Sequence, residues 1–96
     1  MYNREQVTQG VRAVLFGIHD ELEEEFVSND AYPYLLGFDS LDVTELTMAV
    51  EKEFSIRLKD EAVASKRFDK VDGGTLQDFI DLVYDHMKEI GMIKEA

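Results

Sequence analysis

One serine in this chain has neighbours that could give it chemistry. In "LLGFDSLDVTELTMAVEKEF", residues 35–54, Ser40 follows Asp39, and Gly37 lies just upstream. A nucleophilic serine needs a base and an oxyanion hole. "GFDSL" lacks the second glycine of a nucleophile elbow, and only His19 and His86 offer imidazole. Both fall in the outer helices among charged residues, and nothing in the pattern aims either at Ser40, although triad members need not be close in sequence. A different chemistry suits the position better. Ser40 would be the first residue of a helix, where free backbone N–H groups and the helix dipole favour an anion. A phosphate ester on Ser40 would be electrostatically comfortable there, and an ordinary first-turn serine fits the same spacing.

Other ligand sets fall short. "DKVDGGTLQDFI" places Asp69 and Gly74 at the first and sixth positions of a calcium loop. Val71 and Ile80 then occupy the third and twelfth, where oxygen ligands are needed. With no cysteine in the chain, a disulfide framework and a thiolate metal site are both impossible. The glutamates from Glu23 to Glu25 read as a solvated charge run, and no phosphate-cradling glycine loop is present.

The helix that carries Ser40 is unusual. With Asp39 as N-cap and Asp42 three residues later as capping-box partner, it should run from Ser40 to about Phe54. At roughly 100° per residue, Val43, Leu46, Val50 and Phe54 share one face. Leu41 and Met48 lie opposite, among Thr44, Glu45, Glu51 and Lys52. Either they form a docking surface or another helix covers them.

The remaining elements must position this helix. A first helix should start at Asn3, with Val7, Val11, Val14, Leu15, Ile18 and Leu22 at helical spacing; Gly10 and Gly17 weaken the pattern, and Gly17 is a candidate end. Residues 20–37 form a long loop or broken helix, pinned to the core by Phe26, Tyr32, Leu35 and Leu36. A short third helix opens at Asp60. "KRFDKVDGG" is a loop, and Thr75 with Asp78 caps a last helix that buries Leu76, Phe79, Ile80, Val83, Tyr84 and Met87 and stops at Gly91. The fold class expected is all-α: a four-helix bundle of three longer helices and one short one, in a single domain over residues 1–96.

Composition narrows the partners. There are 21 acids against 10 bases, for a net charge of −11. Such a surface repels nucleic acid and anionic lipid and attracts proteins with basic patches, besides keeping a small domain soluble. No apolar run reaches membrane-spanning length, and "MYNREQ" lacks a signal-peptide h-region, so a cytoplasmic address is expected.

"DSLDVTELTMAVEKEF" closely resembles the modification-site helix of acyl carrier proteins, D-S-L-D-x-x-E-L-x-M-A-x-E-x-E-F. The resemblance extends to the "LG" before "DSL", the "KDE" that opens the short helix, and the capped last helix. It implies a non-catalytic carrier whose Ser40 receives 4′-phosphopantetheine from coenzyme A through a magnesium-dependent phosphopantetheinyl transferase. The arm's thiol would carry acyl thioesters among loading and synthase enzymes of fatty-acid, polyketide or specialised lipid biosynthesis. Asp39, Leu41, Asp42, Glu45, Met48 and Glu51 match the positions that dock on basic patches of those enzymes. A monomer is the implied state. An aminoacyl, D-alanyl or peptidyl carrier is the nearest alternative, and an unmodified acidic interaction bundle is a third reading. Three features depart from the family pattern: Leu35 replaces an acid, Lys52 reverses a charge on the second helix, and the segment before the last helix is long. They suggest a specialised carrier.

Overall fold

The computed structural model describes residues 1–94, and in it the four expected helices form: α1 (Arg4–Ile18), α2 (Ser40–Phe54), α3 (Asp60–Ser65) and α4 (Leu76–Glu89). Three of them begin at the anticipated caps. Asn3, Asp39 and Thr75 each accept a hydrogen bond from the backbone N–H three residues on, and the side-chain oxygens of Gln6, Asp42 and Asp78 in turn accept one from the cap's own N–H. Each box satisfies two of the donors that a helix start leaves unpaired.

Helix α1 packs against α2 and α4, and α3 leans on α4. Val7, Val11 and Leu15 from α1 meet Leu46, Val50 and Phe54 from α2 and the stripe Leu76, Phe79, Ile80, Val83 and Met87 from α4, all buried. Gly10 is what brings α1 close to α2. A Cβ there would come within 2.4 Å of the Phe54 ring, so the glycine that weakens the helix pattern provides the space for that ring. Gly17 does not end α1, which continues through Ile18 to a cap at His19.

The connection between α1 and α2 differs from expectation. It contains two single turns of 3₁₀ helix, Glu24–Phe26 and Pro33–Leu36. Phe26 and Leu35 point outward, Tyr32 is exposed, and only Leu36 of the four expected anchors packs on the core. Val27, Pro33 and Phe38 are buried instead. Most of the pinning is polar. The Arg12 guanidinium donates to Asn29 Oδ1 at 2.7 Å and to the carbonyls of Val27 and Glu24. The first N–H groups of α4, on Leu76 and Gln77, donate to the carbonyls of Ala31 and Asn29. Helix ends must find acceptors somewhere, and here the loop backbone supplies them.

The loop over residues 66–74 is likewise anchored. Phe68 is buried with its ring 5.2 Å from that of Phe79. Gly73 passes so close to the Arg67 carbonyl that no side chain fits. Tyr2 and Ile93 form an isolated parallel bridge that ties the two ends of the described chain together.

Candidate functional site

Ser40 is exposed at the first turn of α2. The first backbone bond of the helix runs from Val43 N–H to the Asp39 carbonyl at 3.0 Å. Asp39 Oδ1 takes the Asp42 N–H at 2.9 Å, which leaves the N–H groups of Ser40 and Leu41 for an anion or water. The Thr44 hydroxyl donates back to the Ser40 carbonyl at 3.0 Å. Ser40 therefore projects its hydroxyl from a turn that is fixed on both sides.

The wheel reading of α2 holds. Leu41 is 65% exposed and Met48 63%, while Leu46 is fully buried. Glu45 lies exposed on the same outward face. Among the described residues no neighbouring helix covers Leu41 or Met48. On the core side two details differ: Val43 is only partly buried, and Thr47 is buried with its hydroxyl donating to the Val43 carbonyl at 2.8 Å.

The six expected docking residues divide into two groups. Leu41, Glu45 and Met48 are free and outward. Asp39 is exposed but holds the cap. Asp42 and Glu51 are half-buried and occupied: Asp42 Oδ2 accepts from Asp39 N–H at 3.2 Å, and Glu51 Oε2 accepts the Leu58 N–H at 2.8 Å. Glu51 thereby fastens the turn after α2, a role that its position on the wheel could not disclose.

The surroundings of His19 carry no signal in the sequence pattern. The His19 ring lies 4.4 Å from that of Phe38, with Nδ1 2.8 Å from Glu21 Oε1 and Nε2 3.1 Å from Asp42 Oδ2. The Glu21 bond, helped by Asp42 and opposed by burial, lifts the imidazole pKa above its ordinary value. The bond from His19 holds Asp42 below the usual carboxylate range, with the Asp39 N–H adding to it, and Glu21 is lowered mainly by the same histidine.

A cleft of about 580 Å³ opens beside Ser40 between α2 and α3. Val43, Met48, Val63 and Phe68 contribute apolar surface to its lining, and Thr44, Thr47, Asp60, Arg67 and Asp69 contribute polar groups.

Residues 18–83 match the model of the family described as phosphopantetheine attachment site. The chain belongs to this family. Its members are the sites of covalent 4′-phosphopantetheine attachment, so this protein is a phosphopantetheine carrier with a helical-bundle fold. The matched span includes Ser40, α2, α3 and most of α4. An exposed hydroxyl at a helix start, with two backbone donors beside it and a cleft alongside, fits a phosphodiester-linked arm. When bound, the arm supplies a thiol that holds cargo as a thioester, a function the cysteine-free chain cannot provide itself. Carriers of this kind are generally non-catalytic and work with a phosphopantetheinyl transferase and synthase partners. Among the described residues no helix is long and apolar enough to cross a membrane.

Proposed function

We propose that Ser40 is the attachment residue and that the chain, as one carrier domain over residues 1–96, shuttles acyl thioesters in fatty-acid, polyketide or specialised lipid biosynthesis. The observation that carries this reading is the combination at the start of α2: an exposed Ser40 followed by outward Leu41, Glu45 and Met48 in the middle of the family match. The protein is a substrate of the transferase, not an enzyme. Its docking face offers two apolar anchors ringed by carboxylates, which complements a partner groove rimmed by Lys and Arg. Asp39, Asp42 and Glu51 support that face by holding its two ends. A monomer that works in the cytoplasm and avoids nucleic acid fits the charge of −11.

The polar groups that line the cleft favour a second reading of the cargo. Thr44, Asp60, Arg67 and Asp69 would suit an aminoacyl group better than a long alkyl chain. A loading assay decides between them. Transfer of malonyl or acyl groups to the arm supports the acyl carrier, and loading that depends on amino-acid adenylation supports the aminoacyl carrier. A chain that takes up no arm at all would instead be the unmodified acidic bundle.

A further inference from the structure

Residues 13–51 contain ten Asp and Glu, no Lys or Arg, and one histidine, His19. That histidine touches carboxylates on two elements at once: Glu21 in the loop after α1 and Asp42 in the first turn of α2. A neutral imidazole has a single N–H and can donate to only one of them, whereas the imidazolium donates to both. Asp20 and Asp39 are the acids next to this pair in sequence, and the ring also packs on Phe38, which is uncharged. The oxygen of Asp42 that meets His19 is also the one that accepts the Asp39 N–H and closes the capping box of α2. The proton on His19 is therefore linked, through one carboxylate, to the turn on which Ser40 stands.

We propose that His19 is a positioning residue for arm attachment: as an imidazolium it holds Asp42 in the capping box, fixes the first turn of α2 for the transferase, and withdraws Asp42 from the docking face. This inference rests on Ser40 being the attachment residue. Loss of the proton leaves the ring one N–H. With Glu21 at 2.8 Å the shorter contact and Asp42 at 3.1 Å the longer, Asp42 is the carboxylate released, which loosens the cap and adds an unpaired charge in the turn of the serine. The carboxylates on either side raise the histidine's affinity for its proton, so the device changes state on the neutral-to-alkaline side of an ordinary histidine.

The test compares wild type, His19→Gln, His19→Ala and Asp42→Asn. The substrates are coenzyme A, magnesium and a broad-specificity phosphopantetheinyl transferase, with kcat/KM for the apo-carrier measured across pH. His19→Ala should lower kcat/KM about fivefold below neutral pH, the order expected for one solvent-screened charge-assisted bond. The wild-type advantage should fade as pH rises through the His19 transition. His19→Gln restores one donor without a titrating charge, so it should recover part of the loss and be ordered like wild type at high pH. Taking ratios to wild type cancels the transferase's own titration. By NMR, His19 in wild type should titrate above the ordinary histidine value, and Asp42→Asn should bring it down. A wild-type to His19→Ala ratio independent of pH, or an NMR transition at or below the ordinary value, overturns the proposal. Since the NMR titration uses folded wild type, a variant that fails to fold leaves the question decidable. A wild type that never accepts the arm refutes the Ser40 reading itself, separately from any role of His19.

Discussion

Replacing Leu46 and Met48 by Ala, two positions apart on α2, separates the two faces of the helix. Leu46 is fully buried. Its truncation removes three carbons, each worth about 0.8 kcal/mol when buried. The void left behind adds to that, giving a loss of about 3 kcal/mol, within the usual range for a core leucine. Met48 keeps 63% of its surface in solvent, so only a minor part of its transfer energy is at stake. Its truncation should cost less than about 1 kcal/mol. Urea unfolding followed by helical circular dichroism measures both, with unchanged slopes confirming that the same surface is exposed on unfolding. Partner recognition should show the reverse order, with Met48→Ala weakening capture by the transferase and leaving the fold intact. If Met48→Ala shifts the midpoint as far as Leu46→Ala, the orientation of α2 and the docking face built on it are wrong.

Charge at the docking face should be separable from grease: Glu45→Lys should weaken recognition by a basic-patch partner at low salt and recover at high salt, whereas the Met48→Ala defect should persist. Lys52→Glu should strengthen binding to an ordinary basic-patch partner, and a weaker complex would mean that the partner presents an acid there. Self-repulsion from a net charge of −11 should make the melting temperature rise with salt from low to physiological strength, and a flat response in thermal scans would contradict this. The stability that His19 contributes should depend on pH in a stated direction. Its folded pKa is raised, so its contribution is complete below the unfolded histidine value and is lost as pH rises through the folded one. Glu21 and Asp42 are lowered, so theirs is lost as pH falls through the carboxylate range. The melting-temperature gap between wild type and His19→Gln should therefore be widest between the carboxylate range and the ordinary histidine value, and should narrow as pH rises beyond that value.

The helices were legible because their signals are local. Asn3, Asp39 and Thr75 each sit three residues ahead of a Gln or Asp, and the apolar residues behind them repeat at helical spacing, so caps and buried faces could be read from nearby residues. Leu41 and Met48 were legible for the same reason, as violations of a periodic pattern. What stayed hidden depends on contacts distant in sequence. Nothing near Phe26 or Leu35 indicates that the connection after α1 is held by Arg12 and by the start of α4, because the donors and acceptors that hold it lie on other elements. The pairing of His19 with Asp42 spans 23 residues and requires α1 and α2 to be packed before it exists. The burial of Phe68 in its loop is likewise invisible locally, because its partner, Phe79, belongs to another element.

Localising the arm tests the central claim most directly. Apo-protein incubated with coenzyme A, magnesium and the transferase should gain the mass of a single phosphopantetheine. Fragmentation of the proteolytic peptide that contains "FDSLD" should place it on Ser40, and Ser40→Ala should retain its helicity and gain nothing. An arm found on any other residue, or one still acquired by Ser40→Ala, would contradict the account.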